Sequence, residues 1–456
     1  MSFVGVDIGA SSTRYASNNG EINELSNSII HLPDNNTSLI SIDTDDIESC
    51  LEVKITKHEP EQKTVVQTQN LDFFPANVLV GIMAEKARGT AERPSVHVAK
   101  HKQRNNFISA VLACAVSKIK YNIDENIDMY IAVPPSETNG NIAEKEFQAR
   151  LIGTYTVEFP KYAGGTVVTF RINSIKVYAE SFMAATSYFF DMSGRVRDKA
   201  RNFLTGTVLS LDIGASTTDM SIIKQGRFMD SSGRTIHYGG NTARENLGNS
   251  IDIEYNINFK SEDLDRVMAE GRIQMGNGWA DASAMVNLAK QELANAIVAD
   301  VESYFNRIQM PLQLINAVIV SGGGSLQSQY ANENGEIVKT AEPMSYFVTE
   351  KLTSWSAGTV VVSYGEDARF ANVKGLYIRA KIDELKNQQA QAQAQSVQPQ
   401  VQQTVAPQTP VQPAQPVTPV QPVQNVAPVQ SVQPTVPPDA TAQTPVTTQT
   451  NQPAQQ

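Results

Sequence analysis

Asp7-Ile8-Gly9-Ala10-Ser11-Ser12-Thr13 and Asp212-Ile213-Gly214-Ala215-Ser216-Thr217-Thr218 agree at six of seven positions, 205 residues apart. Independent turns have no reason to share so much, so the chain builds one device twice and must give both copies similar surroundings. Each copy follows an apolar run, Phe3-Val4-Gly5-Val6 in one case and Val208-Leu209-Ser210-Leu211 in the other, which predicts a buried strand ending at the Asp. Alternating polar and apolar residues then lead to the turn signals Asn18-Asn19-Gly20 and Lys224-Gln225-Gly226, so each copy runs into a hairpin.

Glycine lets a backbone approach phosphate oxygens closely, and small Ser and Thr residues leave amides and hydroxyls free to donate to them. An ionised Asp only accepts, which suits a hydrated Mg²⁺ that keeps most of its waters. One copy alone reads more readily as a tight β-turn with a Gly and a capping Asp. Two matched copies point to a polyphosphate held between two domains. Gly9, Ala10, Ser11, Ser12 and Thr13 would lie on one side, and Gly214, Ala215, Ser216, Thr217 and Thr218 on the other, with Asp7 and Asp212 toward the metal.

The last 70 of the 456 residues, Asn387 to Gln456, hold 13 of the 22 prolines and one charge, Asp439, so they cannot bury a core and are expected to form an extended, disordered tail. The remaining 386 residues exceed what one core usually serves, which predicts two domains. A net charge of −10 argues against general affinity for naked nucleic acid or an anionic membrane, so any DNA contact is expected through a partner. No apolar run approaches a membrane span, and Cys50 and Cys114 suit a reducing compartment, so the expected location is cytoplasmic.

Between the copies, Asn105 to Ile119 has helical apolar spacing, Met129 to Val133 reads as a buried strand ended by Pro134-Pro135, and Thr154 to Phe159, Val167 to Ile172 and Ile175 to Val177 read as strands, an α/β pattern. Glu180 stands where a strand hands over to a helix. It is either a base for a water attacking a terminal phosphate or a carboxylate that only complements the helix dipole. Gly239-Gly240-Asn241 precedes a helix and could bring amides toward a phosphate. A helix with Met285, Leu288, Ala289, Leu293, Ala296, Ile297, Val301 and Phe305 on its apolar face leads to the strand Ala317 to Val320 and then Gly322-Gly323-Gly324, bare backbone suited to a flat base or ribose. His97 and His101 lack a third ligand at metal spacing. Lys86 to Arg104 holds six basic residues and one acid, and reads as a solvated loop or a face for an acidic partner.

The order of these segments resembles the actin, sugar kinase and Hsp70 superfamily of two-domain ATPases: first phosphate loop, connecting helix at Glu180, second phosphate loop, adenosine loop at Ser321 to Ser325, second connecting helix at Asp367 to Leu376. Details are similar to the plasmid-segregating bacterial actins of the ParM and StbA type with their Alp relatives, on Val133-Pro134-Pro135-Ser136-Glu137, Leu151 to Phe159, Val177-Tyr178-Ala179-Glu180-Ser181 and Ala76 to Gly81. The resemblance implies an actin-like fold of duplicated ribonuclease-H-like domains, with residues 1–190 and a C-terminal helix 367–386 forming one domain and 191–366 the other. It implies a catalytic pair in Glu180, which orients the water, and Asp212, with Asp7 and Asp212 holding hydrated Mg²⁺. Arg14 stands where the family places a phosphate-binding Lys, and Glu270 and Arg272 resemble residues flanking the base and ribose. The implied cofactors are ATP or ADP, with GTP possible, and Mg²⁺. The implied activity is nucleotide hydrolysis coupled to self-assembly into filaments that move DNA through an adaptor, with no membrane partner. A monomeric kinase and an Hsp70-like or scaffold module are the alternatives; the tail offers the latter no β-rich substrate domain and no basic amphipathic helix.

Overall fold

A computed structural model describes residues 2–33, 46–49, 51–59, 73–87, 91–230, 232–352, 355 and 360–396. The expected tail beyond Ser396, and Cys50, lie outside the described residues. The first sheet contains β1 (Ser2–Ile8), β2 (Ser12–Ser17), β3 (Ile22–Ser26), β4 (Ile29–His31), β5 (Glu52–Lys57), β6 (Ala76–Val80), β7 (Asn126–Val133), β8 (Gly153–Phe159) and β9 (Thr166–Ala179), in the spatial order β3-β2-β1-β7-β9-β8-β5-β6-β4. The second contains β10 (Thr207–Ile213), β11 (Thr218–Lys224), β12 (Arg227–Phe228), β13 (Arg234–Ile236), β14 (Ala317–Ser321) and β15 (Val360–Ser363), with the path β12-β11-β10-β14-β15 and β13 beside β11. The sequence repeat is therefore a repeat of topology. In each sheet a strand ending in Asp pairs antiparallel with its hairpin partner on one side and parallel with a later buried strand on the other.

Burial on both faces explains why β1 and β10 are apolar without alternation. Helices α1 (Arg104–Tyr121) and α2 (Ile142–Leu151) cover one face of the first sheet around Phe107, Phe147 and Tyr155. Helices α3 (Gly240–Tyr255), α4 (Ser283–Arg307) and α5 (Met344–Leu352) cover one face of the second around Leu247, Ile297 and Phe305. The helix Glu180–Phe189 serves both sheets. Its Met183 packs with Phe3, Leu376 and Tyr130, whereas Ala185, Tyr188 and Phe189 pack with Val208, Ile223 and Ile319. The C-terminal helix Ala371–Ser396 crosses it, and at the crossing a Cβ on Gly375 would lie 2.0 Å from the Met183 carbonyl oxygen, so only glycine permits this approach. Buried Asp383, ion-paired with Lys176 at 2.7 Å and with Arg379 at 3.4 Å, fixes the same helix to the first sheet.

Four expectations need correction. The C-terminal helix begins after a 3₁₀ turn, Glu366–Phe370, and continues to Ser396, ten residues into the segment expected to be disordered. Val167 to Ile172 and Ile175 to Val177 are one strand, because the chain absorbs Asn173 as a bulge where the register against β7 shifts and pairing then resumes. Leu288, assigned to the apolar face of its helix, is 50% exposed. The basic stretch before Arg104 is also not simply a solvated loop, since it buries His101 and turns half-buried Lys100 inward onto Glu180. No helix among the described residues is long and apolar enough to cross a membrane.

Candidate functional site

Both glycine turns close in the same way. The Gly9 amide donates to the Ser12 carbonyl at 2.9 Å, and the Gly214 amide to the Thr217 carbonyl at 2.8 Å, which leaves the tips Ala10-Ser11 and Ala215-Ser216 facing outward. Each turn is braced by an asparagine. Fully buried Asn27 donates to the Gly9 carbonyl at 2.5 Å and accepts from Thr13 Oγ1 at 2.7 Å and Ser109 Oγ at 3.1 Å. On the second turn the amides of Gly240 and Asn241 donate to the carbonyls of Gly214 and Ala215 at 2.9 and 2.6 Å, and Asn241 Nδ2 donates to Ser216 Oγ at 3.0 Å. Gly240 and Asn241 thus use their amides to shape the turn that the sequence reading assigned to phosphate.

The glycine triplet lies against the same turn. A Cβ on Gly322 would fall 2.3 Å from the Ile213 carbonyl oxygen and 2.6 Å from Asp212 Oδ1, and one on Gly324 3.1 Å from the Gly214 carbonyl oxygen. Ser321 Oγ donates to Asp212 Oδ1 at 3.2 Å. Glu270 and Arg272 pair with each other at 2.8 Å, and the Arg272 guanidinium stacks between Trp279 of its own hairpin and Tyr330 of the hairpin formed by Ser328–Ala331 and Ile337–Ala341, 4.0 and 3.7 Å from the ring centroids, a setting that fixes Arg272 between the two hairpins.

Asp7 and Asp212 share a neighbour that the sequence reading passed over. Asn372 Nδ2 donates to Asp212 Oδ2 at 2.7 Å, and the Asn372 side chain also favours the charged form of the neighbouring Asp7 carboxyl, so one side chain from the C-terminal helix lies beside both strand ends. Burial, reinforced by repulsion from Glu180, pushes the Asp7 carboxyl up to about 6. Burial also pushes Asp212 up to about 7, against the Asn372 hydrogen bond and with Glu180 and Asp7 adding repulsion.

Asp219 stands seven residues after Asp212, as Arg14 does after Asp7, and in both hairpins this residue is the register partner of the strand-end Asp. Asp219 is buried, accepts from Thr235 Oγ1 at 2.6 Å, and has its carboxyl raised well above the ordinary range by burial and by the neighbouring Glu180.

Glu180, at the N-terminus of its helix, is also ion-paired with Lys100. Burial pulls the Lys100 ammonium down, but Glu180 and Asp7 more than offset it and leave it above its ordinary value. Arg14 is held at the edge of the site, with Nε 3.3 Å from Glu24, Nη1 3.8 Å from Asp7 and Nη2 donating to Ser12 Oγ at 3.4 Å. The site therefore gathers four carboxyls, one asparagine and one largely enclosed ammonium between two glycine turns, with the Arg14 guanidinium at its edge. Asn372 Oδ1 is buried without a partner among the described residues, so what the centre lacks is a donor. A hydrated divalent cation fits that deficit, because its charge relieves the crowded carboxyls and its waters donate to acceptors.

A family model described as the C-terminal part of the archaeal actin homologue MreB-like proteins matches residues 210–330, which contain the second turn and the glycine triplet. A sequence comparison with curated proteins finds no match. Among solved structures, the actin-like protein Alp7A is 17% identical with TM-score 0.61, over 86% of this chain and 99% of that one. Ta0583, an archaeal actin homolog, is 14% identical with TM-score 0.60, over 84% and 100%. ParM of Bacillus thuringiensis, solved with ATP, is 16% identical with TM-score 0.56, over 85% and 100%. Whole-length superposition on these proteins, together with the duplicated hairpin sheets and crossing helices described above, makes the fold of this chain actin-like.

Proposed function

We propose that this protein binds ATP with Mg²⁺ between its two glycine turns, hydrolyses it, and assembles into actin-like filaments that position DNA through an adaptor. The observation that carries the reading is the clustering of Asp7 and Asp212, from the two duplicated strands, beside Asn372 and Glu180. Asp7 and Asp212 would hold the hydrated ion, whose contribution is to neutralise phosphate charge. The chain's own residues do the rest. Ser11, Ser216 and Thr217 present amides and hydroxyls to phosphate oxygens while the Ser12 hydroxyl, bonded to Glu24, braces the first turn; Gly322 to Gly324 present bare backbone to the nucleoside, and the Glu180 carboxylate orients the attacking water.

Actin-like Alp7A and the ATP-bound ParM share the fold at low identity and support a nucleotide in this position. A filament contact that bridges both sheets would sense the terminal phosphate through the crossing helices, since closure around nucleotide and assembly would favour the same arrangement. Light scattering and electron microscopy of the full chain with ATP, GTP or no nucleotide, each with Mg²⁺, test the reading. Assembly with a nucleoside triphosphate and no added small substrate is expected, and Glu180→Ala should assemble yet release phosphate far more slowly. Phosphate release at the wild-type rate from Glu180→Ala filaments would remove Glu180 from the chemistry.

A further inference from the structure

The site carries more negative charge than a triphosphate tolerates without a cation, and the cation that the first turn offers is already engaged. Arg14 is clasped by Glu24 and Ser12 and reaches the site only at its edge, with Nη1 3.8 Å from Asp7, and Glu24 is also bound by Arg369. The ammonium inside the carboxyl cluster belongs to Lys100, whose side chain is 15% exposed. Its backbone is fixed. The Lys100 amide donates to both Glu137 carboxylate oxygens, at 3.0 and 2.9 Å, His101 Nδ1 bonds Glu137 Oε2 at 2.9 Å, and Asn106 Nδ2 donates to the Lys100 carbonyl at 3.0 Å. A rigid root with a flexible four-carbon stem suits an ammonium that changes partner while its loop stays in place.

We propose that Lys100 reads the terminal phosphate of the bound nucleotide and controls the availability of Glu180. This rests on the nucleotide reading above. With a triphosphate bound, the ammonium leaves Glu180 for the terminal phosphoryl oxygens, and the freed carboxylate accepts a hydrogen bond from the attacking water. With a diphosphate bound it returns to Glu180 and occupies it. In hydrolysis the water oxygen bonds the terminal phosphorus, and the bond to the bridging oxygen breaks with its electron pair staying on the diphosphate. The water proton passes to Glu180 and from there to the released phosphate, and Lys100 itself exchanges no proton. The bridge between Glu137 and Lys100 gives the Val133 to Glu137 segment a task, namely to hold the sensor's root.

The test compares binding of AMPPNP and ADP, each with Mg²⁺, to full-length wild type, Lys100→Met and Glu180→Gln. A hydrogen bond to a charged group is worth roughly tenfold or more in affinity, so Lys100→Met should weaken AMPPNP by about that factor while ADP changes little. Glu180→Gln, nearly isosteric, removes the competitor for the ammonium and should shift the AMPPNP-to-ADP affinity ratio the opposite way. The double variant should follow Lys100→Met alone. Loss of general site structure would weaken both ligands together, so the ratio separates sensing from scaffolding. An unchanged ratio in Glu180→Gln overturns the proposal even if Lys100→Met does not fold. If wild type binds both ligands and neither variant moves the ratio, Lys100 is no sensor while the nucleotide reading survives. If wild type binds neither ligand, both fall.

Discussion

Gly375→Ala puts the crossing of the two connecting helices to a quantitative trial. In a helix interior the exchange normally stabilises by about 0.5–1 kcal/mol, because glycine loses more backbone freedom on folding. Here the added Cβ would sit 2.0 Å from the Met183 carbonyl oxygen, 2.6 Å from its carbon and 2.9 Å from the Met183 Cα, all backbone atoms that cannot turn aside. Relief requires the helices to part by about 1 Å, a gap that forfeits a quarter to a half of each contact along the seam. That seam includes the fully buried Met183, Ala184, Val373 and Leu376. Overpacking of this kind costs about 1–3 kcal/mol and a backbone clash lies at the upper end, so the net expectation is a loss of roughly 2 kcal/mol. Asn372 lies one turn earlier on the displaced helix. Its 2.7 Å bond to Asp212 would lengthen to about 3.7 Å, outside hydrogen-bond range, so nucleotide affinity should fall with stability. Urea unfolding measures the first effect and nucleotide titration the second, with Gly278→Ala as control, since the nearest atom to its added Cβ is 4.0 Å away. A Gly375→Ala midpoint equal to or above wild type would refute the geometry of the crossing.

Further outcomes follow from the site. Asp7 and Asp212 titrate near 6 and 7 when folded against about 3.8 when unfolded, so the unfolded chain releases these protons first. Their contribution to stability is complete below pH 4, is lost as pH rises toward 7, and is constant above. In divalent-free buffer, calorimetry should show Asp212→Asn gaining on wild type across that window by on the order of 2–4 kcal/mol, and parallel pH profiles would contradict the assignment. Asn27→Ala strands the Gly9 carbonyl and the Thr13 and Ser109 hydroxyls, and should lower stability by about 3 kcal/mol in urea; a change below 0.5 kcal/mol would mean that the first turn holds itself. Asp219→Asn keeps the hydrogen bond to Thr235 and removes an ionisable partner of Glu180. The pH profile of hydrolysis should therefore shift while nucleotide affinity stays within about twofold, and an unmoved profile would detach Asp219 from Glu180.

What was legible in the sequence is what local chemistry dictates. Gly9 and Gly214 announce turns because a side chain there would strike the carbonyl that closes the turn, and the apolar runs before Asp7 and Asp212 announce buried strands. Lys100 was not legible. Nothing local separates it from Lys102, and only the fold decides which basic residue of the loop turns inward. Asn372 carried a faint signal, a polar residue on the apolar face shared with Val373, Leu376 and Ala380. Asp219 carried a stronger one, because aligning the two repeats sets it beside Arg14, the position at which the copies disagree in charge. Leu288 misled for the opposite reason, since helical spacing gives a stripe whose edges tertiary packing is free to leave in water.

That disagreement in charge also bears on orientation. A grip made of two identical jaws would hold a rod-like polyanion equally well pointing either way. With a guanidinium seven residues after the Asp of one jaw and a buried carboxyl at the same place in the other, the jaws are electrically unlike, and end-for-end reversal of a bound polyanion would no longer be degenerate. Doubling supplied the shape, and one unmatched pair of side chains supplied the arrow.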